Sequence, residues 1–475
     1  MGRPLAAQDV FGIIRDQEIR FVDLKFVDLF GRLQHITFAV EAFDLKAFRD
    51  GLGFDGSSVR GFQAIHESDM LMVPDPSSAF VDPFFDDPTL SLFCDILDPR
   101  THTFYSRGTR GVARRAEQYL LTTGIADTAF FGPELEFFVF EDVRFDQHTK
   151  HSFYFVDSDM AFWNRGGEQG PNLGHKMPQK QAYFVCPPSD GYHNLRSKMI
   201  SVLRAVGIDA ELHHHEVASA GQQELGFKFG TLVQQADSSL KYKYVIKNVA
   251  HRYGKTATFM PKPLFEENGS GMHVHCSLWK EGQNTFYEPG GYADLSDNAR
   301  YFIGGLLAHA PALCGLTNPT TNSYRRLVPG YEAPINLAFS ASNRSACVRI
   351  PAFANTPNSK RIEFRTPDPT ANPYLAFAAI LMAGLDGIQR KIDPPSPIDV
   401  DIYELSEDEK KDIGSAPGSL EEALDALERD HDFLLEGGVF TEDLISTWVA
   451  HKRKHEIDYI RLRPHPGEFS LYYDA

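Results

Sequence analysis

Basic charge, cysteine and long apolar runs are all scarce in this 475-residue chain. Its 47 Lys and Arg against 64 Asp and Glu leave a formal net charge of −17, so there is no overall basic footprint for nucleic acid or an anionic membrane. The five cysteines, Cys94, Cys186, Cys276, Cys314 and Cys347, are odd in number and stand at least 33 residues apart. That spacing excludes a CxxC metal site, argues against a disulfide framework and points to a reducing compartment. No window approaches the ~18 uninterrupted apolar residues of a membrane span, the longest candidate being broken by Gly384 and Asp386. The N-terminus meets charge before any long apolar stretch, unlike a leader. We therefore expect a soluble, cytoplasmic protein with neither nucleic acid nor membrane as partner. Internal repeats and low-complexity tracts are missing too. What is present, 42% hydrophobic and 23% charged residues with 37 Gly and 29 Pro, is the composition of an ordinary globular enzyme. The length suits two or three domains of ~100 to 200 residues.

Between Ile19 and Phe38 the pattern IRFVDLKFVDLFGRLQHITF nearly alternates on both sides of a Phe30-Gly31-Arg32 break, which predicts a hairpin at the start of a small β-rich domain ending near Arg107. GTRGVARRAEQYLLTTG, from residue 108, reads as a helix closed by Gly124, because glycine accepts the left-handed conformation after a helix end. Further helices are expected over 192–206, 236–253, 297–313 and 373–387, the last opened by Asn372 as cap and Pro373 at the first helical position. Strand-like runs alternate with them, so 108–475 is expected to be an α/β or α+β catalytic domain. The acidic, Pro-rich segment 393–422 reads as an exposed loop, followed by a helical C-terminal tail.

Two phosphate-binding motifs are imitated without their context. Gly51-Leu-Gly53-Phe-Asp-Gly56 matches GxGxxG but follows a helical pattern, not a strand. Gly254-Lys255-Thr256 resembles the end of a phosphate loop, yet position 249 is Val, so the first glycine is missing.

The chemistry-bearing residues lie elsewhere. In FFGPELEFFVF, Glu134 and Glu136 stand two apart in an otherwise apolar strand, and the strand period of two places both carboxylates on one face. Burying two like charges is costly unless cations neutralise them. The same spacing recurs at Met272-His273-Val274-His275 and at Arg361-Ile362-Glu363-Phe364-Arg365. A fourth piece, HHHEVASAGQQELGFKF, has Glu216 and Glu224 flanking a small-residue turn. Its His213-His214-His215 tract is not a zinc site, because adjacent strand residues point to opposite faces. Carboxylate-dominated ligation with one or two imidazoles suits Mg²⁺ or Mn²⁺. Two arginine-bearing runs, Tyr324-Arg325-Arg326 with Tyr331-Glu332, and Asn343-Arg344 with Arg349, add groups suited to carboxylate and phosphate. An acidic metal cage facing arginines is a metal-dependent phosphoryl-transfer or ligase site; the acceptor is not named by these residues.

FDGSS at 54–58, NGSGMHVH at 268–275, RLVPGYEAP at 326–334, NRSACVRIP at 343–351, RIEFRTPDPTANPYLAFAAILMAGLDGI and the terminal RPHPGEFSLYYDA resemble the bacterial type I glutamine synthetases along essentially the whole chain. The resemblance implies an α+β protein with an N-terminal β-grasp domain, 1–107, and a catalytic domain, 108–475. It also implies a dodecamer of two stacked hexameric rings with active sites between subunits. Its substrates would be glutamate, ammonium and ATP, joined in two steps through γ-glutamyl phosphate. One Mg²⁺ or Mn²⁺ site is implied at Glu136, Glu216 and Glu224, a second at Glu134, His273 and Glu363. ATP would meet Glu211, Phe229, His275, Ser277 and Arg361, and glutamate would meet Asn268, Gly269, Arg326 and Arg365. Arg344 and Arg349 would face the phosphoryl group. Ammonium would meet Asp55, as base, and Ser58 from the adjacent subunit, with Tyr183, Glu216 and Glu332. Tyr403 matches in position a tyrosine that an adenylyltransferase modifies in many such enzymes.

The chain departs from the family at Asn358, where Lys is usual, so that one phosphate contact is either weakened or taken by Lys360; at Gln181-Ala182, where Gly-Gly is common; and at Arg165, where a small residue is usual. Two rivals compete with ammonia ligation: a γ-glutamyl ligase of the same scaffold using a larger amine, and a catalytically silent, assembly-forming homologue. Retention of Asp55, Ser58, Tyr183, Glu332 and every cage carboxylate argues against both.

Overall fold

The computed structural model describes residues 5–63, 65–164, 166, 173–329, 333–341, 343–400 and 413–475. Glu332, Tyr403 and Arg165, with their expected roles, lie outside the described residues.

The N-terminal part is built on a six-stranded sheet of β1 (Phe21–Val27), β2 (Leu33–Ala39), β3 (Leu52–Asp55), β4 (Asp69–Pro74), β5 (Phe80–Asp82) and β6 (Thr89–Leu97). Its order is β2-β1-β6-β4-β3, with β5 on β6; β1 and β6 run parallel and the other pairs antiparallel. The hairpin expected from the first alternating run is β1–β2, and its turn uses Gly31 at φ +88°, a conformation cheap only for glycine. Val22, Leu24, Met72, Leu90 and Leu92 fill the core of this part.

A ten-stranded, mainly antiparallel sheet follows. It comprises β7 (Thr128–Phe140), β10 (Ala210–His215), β11 (Gln222–Phe227), β12 (Gly230–Thr231), β13 (Thr256–Thr258), β14 (Met272–Lys280), β15 (Gln283–Asn284), β16 (Asn336–Ser340), β17 (Ala346–Arg349) and β18 (Ile362–Phe364). The order β10-β11-β7-β14-β18-β17-β16 puts the long β7 near its middle. A separate hairpin pairs β8 (Asp142–His148) with β9 (His151–Asp157). Behind the sheet, Phe137 packs on Tyr242 of the Leu232–Arg252 helix and Phe131 stacks on Phe377 of the Pro373–Arg390 helix. The opposite face of the sheet is thereby left for the site.

The helix expected after residue 107 is Thr109–Thr123, closed by Gly124 at φ +67°. Asn372 caps Pro373–Arg390 by accepting from the Tyr374 N–H. Arg110, buried on the first of these helices, joins the two parts: it donates to Asp75 and Asp95 from the N-terminal side and to both carboxylate oxygens of Asp237. Most described residues of the 393–422 segment are exposed or half-buried, and hydrogen bonds tie its flanks down. Ile398 N–H donates to Phe339 O, Leu337 N–H to Gly414 O and Ala416 N–H to Ile335 O, so the flanks add to the edge of the sheet. Leu420 is buried at the start of a helix, Leu420–Arg429.

Candidate functional site

Strand register assembles the site. In the antiparallel pairings Glu224 faces Glu136 and His214 faces Glu224, His273 faces Glu134, and Glu363 faces both His275 and Arg349. With the period of two, residues 132, 134 and 136 of β7 share a face with 273 and 275 of β14. One stripe of carboxylates, imidazoles and guanidinium groups therefore crosses six strands. Glu216, just beyond β10, joins it through His214, whose Nδ1 is 3.5 Å from Glu216 Oε1 and whose Nε2 is 3.7 Å from Glu224 Oε1.

The stripe has two electrostatic halves. On the Glu136 side, burial first and the Glu224 carboxylate second push Glu136 up to about 8. Burial, then Glu136 and Glu224, push Glu216 up to about 9. Glu224 rises to about 8 through burial and the charges of Glu134 and Glu363. These three carboxylates lack enough positive charge to ionise together. On the other side, burial would raise Glu363, but Arg365 and the neighbouring imidazoles hold it at about 2. Its oxygens accept from Arg365 at 2.5 Å and Arg349 at 2.6 Å. Glu134 is likewise held low against burial by His273 and His275, with His275 Nε2 at 2.9 Å and His273 Nδ1 at 3.6 Å. Burial and Arg365 lower His273 to about 4, so its imidazole is neutral and able to ligate.

Two triads bring ligand atoms within 4.8 Å of one another: His214, Glu216 and Glu224, and Glu134, His275 and Glu363. An under-neutralised carboxylate group of this kind fits a hard divalent cation, whose charge makes simultaneous ionisation favourable. In the second triad His275 lies closer to Glu134 than His273 does, and His273 Nδ1 is 3.8 Å from Glu363.

The NGSG run is a close-packing device. A Cβ on Gly269 would come within 2.5 Å of Pro261 O and 2.9 Å of Arg326 Cγ; on Gly271 it would meet Arg326 Nη2 at 2.6 Å and His273 Nε2 at 3.0 Å. Arg326 is fully enclosed here, its guanidinium donating to the carbonyls of Thr366, Pro367 and Arg365. Asn268, which precedes Gly269, is buried. Among the described residues the buried Nε–H of Arg349 has no acceptor, and the backbone carbonyl of Arg344 accepts from Arg365 Nε.

Around the rim, Phe229 is exposed, covers Gly132 and meets Phe130 edge-on. Ser277 accepts from Trp279 Nε1. Arg361 donates to His275 Nδ1 at 3.3 Å and lies over the Phe353 ring. Glu211 is half exposed, 3.7 Å from Lys228. The Tyr183 ring stacks on Phe184 and meets His214 edge-on, which sets it against the Glu216 half. Asp55 and Ser58 are not brought to the stripe through any hydrogen bond of their own: Asp55 accepts from Ser57 N–H, Ser57 Oγ and Ser58 Oγ within its own turn. Lys360 is buried and donates to Ala293 O at 2.5 Å, while Asn358 is exposed, which, of the two expectations for position 358, favours a weakened phosphate contact. Ala182 is fully buried, its N–H donating to Val217 O.

Sequence reasoning missed three contributors. His214 was set aside with its neighbours, yet strand alternation turns it toward the carboxylates while His213 turns to Arg196 and Ser197. Gln222 Nε2 and the Gly271 N–H both donate to Glu136 Oε2, at 3.0 and 2.9 Å, fixing one oxygen and leaving the other to bind.

Comparison with known proteins identifies the family. The family model "Glutamine synthetase, beta-Grasp domain" matches residues 18–99 and "Glutamine synthetase, catalytic domain" matches 106–472. Glutamine synthetase of Frankia alni is 60% identical over 98% of this chain and 99% of that one. The Mycolicibacterium smegmatis enzyme is 56% identical over 99% of both. A cryo-EM structure of Plasmodium falciparum glutamine synthetase superposes with a TM-score of 0.91 at 29% identity, covering 99% of each chain.

Proposed function

The chain belongs to the glutamine synthetase family, and from that premise we propose that the stripe across its catalytic sheet is where ammonia is ligated to glutamate. The reaction is ATP-dependent, passes through γ-glutamyl phosphate and yields glutamine, ADP and phosphate. The substrates are glutamate, ammonium and ATP, and the family uses divalent metals. The observation that carries the site assignment is the crowding of Glu136, Glu216 and Glu224 beside the Arg-held Glu363.

The cation we favour is Mg²⁺ or Mn²⁺, held at Glu136, Glu216 and Glu224 with His214 beside them, and at Glu134, His273 and Glu363 with His275 adjoining. When bound, it supplies charge neutralisation at phosphate oxygens. The chain's own residues do the rest. Arg326 and Arg365, with Asn268 and Gly269, orient glutamate. Phe229, Ser277, Arg361, Glu211 and His275 seat the nucleotide. Arg349, with its unpaired Nε–H, and Arg344 meet the charge that develops on the phosphoryl group as it passes to the glutamate side chain. Ammonium is not a nucleophile until it loses a proton, so an anionic pocket of Asp55, Glu216 and Glu332 with Ser58 and Tyr183 first attracts it; Asp55 then takes the proton.

Asp55 needs a neighbouring chain to reach the stripe, and the dodecamer of stacked hexameric rings is the assembly we propose. We also place the domain division near residue 107, just before the Thr109–Thr123 helix, and the enzyme in the cytoplasm; among the described residues no helix is long and apolar enough to cross a membrane. The test is glutamate-dependent ADP release by wild type and Asp55→Ala, with ammonium compared against a panel of larger amines. Wild type should prefer ammonium. Asp55→Ala should lose glutamine formation while retaining positional isotope exchange in ATP without ammonia. Equal loss of both would reject the assigned role.

Adenylylation at Tyr403 is part of the same proposal, supported by the acidic, Pro-flanked sequence around it and by its position relative to the family. The family's usual prolines after this tyrosine are replaced by Ser406 and Glu407. Intact mass of protein from nitrogen-rich cells should show an AMP-sized increment that phosphodiesterase removes with a gain in activity. An unmodified subunit with unchanged activity would reject it.

A further inference from the structure

The β8–β9 hairpin carries a second set of ligand-type side chains, separate from the catalytic stripe. Its register pairs His148 with His151 across a turn of only Thr149 and Lys150, and Asp146 with Phe153. Residues 146, 148, 151 and 153 therefore share one face of the ribbon. On that face Asp146 Oδ2 lies 3.0 Å from His151 Nε2 and Asp146 Oδ1 lies 3.3 Å from His148 Nε2. The two imidazole rings are 5.1 Å apart, and the three ligand atoms all fall within 4.8 Å of one another. The His151 ring stacks on Phe153 at 6.2 Å, which limits its orientation.

We propose that Asp146, His148 and His151 bind one late divalent transition-metal ion of the zinc type. Two imidazoles and a carboxylate are borderline donors, suited to Zn²⁺, Ni²⁺ or Cu²⁺ and poorly matched to Mg²⁺, which prefers an octahedron of oxygens. Ligand bonds of roughly 2.0 to 2.2 Å in a tetrahedron separate neighbouring ligand atoms by about 3.3 to 3.6 Å. The 3.0 and 3.3 Å contacts run to the two different oxygens of Asp146, so small rotations of the exposed side chains are what bring one oxygen and two imidazole nitrogens to that spacing. A fourth position remains for water or a ligand from outside the hairpin. Binding joins β8 to β9 beside the turn. The cage half around His273 and His275 also offers imidazoles, so the hairpin site is read from the difference between wild type and a variant of the hairpin alone.

The test uses the full-length assembled protein, stripped with chelator and desalted, in excess Mg²⁺ so that the carboxylate cage is occupied. Zn²⁺ is then titrated by equilibrium dialysis with elemental analysis. Wild type should take up one more Zn²⁺ per chain than a His148→Ala/His151→Ala variant. Each single substitution should weaken that uptake by more than about tenfold, since even outer-shell changes cost 10- to 100-fold. ADP release in Mg²⁺ should be unchanged in the variants, which verifies their fold. One equivalent of Cu²⁺ on wild-type protein should give an electron paramagnetic resonance spectrum with coupling to two imidazole nitrogens, a coupling that the double variant lacks. Equal Zn²⁺ uptake by wild type and double variant, or a Cu²⁺ spectrum without imidazole coupling, overturns the proposal. Because occupancy is the readout, its failure is separable from failure of the ligase assignment.

Discussion

Replacing Glu363 by alanine is expected to abolish ligation and to weaken the catalytic sheet at the same time. Glu363 is almost fully buried and is the acceptor for both Arg349 and Arg365. It also completes the triad with Glu134 and His275. Truncation removes a proposed ligand and leaves two guanidinium groups in a buried site without their anion. Breaking a buried ion pair from one side costs about 3 to 5 kcal/mol. Loss of a metal-assisted interaction worth several kcal/mol corresponds to roughly a 10³-fold fall in kcat. Glu363→Gln separates the two effects: it keeps the shape and one acceptor oxygen, so its melting temperature should recover more than its activity. Steady-state ADP release and thermal melting of both variants are the measurements. Activity of Glu363→Gln within about tenfold of wild type would remove Glu363 from the phosphoryl-transfer machinery, since a single preorganised charge-stabilising group is worth about 10² to 10³.

The part of this site legible in the sequence is the part governed by strand period. Glu134 with Glu136, His273 with His275, and Glu363 with Arg365 are each two apart, and any regular strand puts such pairs on one face whatever its neighbours. Helix ends were readable for a similar local reason: Asn372-Pro373 and Gly124 act within a turn of themselves. What was not readable depends on which strand lies beside which. His214 faces the carboxylates because β10 pairs with β11 in the register that sets it against Glu224. Alternation alone showed that His213, His214 and His215 cannot act together, but not which of them faces the cage. Gln222 reaches Glu136 only because β11 lies against β7. The anchoring of Lys360 is hidden for the same reason, since its acceptor, Ala293 O, is 67 residues away.

The pairing of the 393–422 flanks with the sheet edge is hidden for a different reason. Acidic, Pro-rich composition reports low hydrophobicity, whereas the backbone groups of 414 and 416 are held by hydrogen bonds to β16 and the residues before it, a contact that needs no apolar side chain. A local signal for its end was nevertheless present. Ser419 accepts from the Glu422 N–H, and Ser-x-x-Glu ahead of an apolar run is the signature of a helix start.

The crowded carboxylates lead to the second large effect: the stabilisation conferred by saturating Mg²⁺ should grow steeply with pH. Glu136, Glu216 and Glu224 are pushed up to about 8, 9 and 8 in the folded chain, by burial first and by one another or neighbouring carboxylates second. In the unfolded chain a glutamate ionises near 4.3. Below that value both states hold their protons and nothing is lost. Between it and about 8 to 9 the unfolded chain ionises while the folded one resists, so metal-free stability is eroded as pH rises, and the erosion ends once the folded groups ionise. The absolute melting temperature mixes this with opposite trends, because buried Lys243 is lowered to about 7 and Lys241 to about 8 by desolvation, and such lysines favour the folded state as pH rises. The difference between melts with and without Mg²⁺ cancels those contributions and isolates the cage, where cation and protons compete for the same oxygens. One net proton displaced across three pH units is worth about 4 kcal/mol, so the Mg²⁺ increment should widen by several °C between about pH 6 and about pH 9. Glu216→Gln, which removes the most strongly raised of the three carboxyls, should flatten that dependence. An increment already at full size near pH 6 and constant above it would show the three carboxylates to be ionised before any cation arrives, and would exclude charge crowding as the source of the site's affinity.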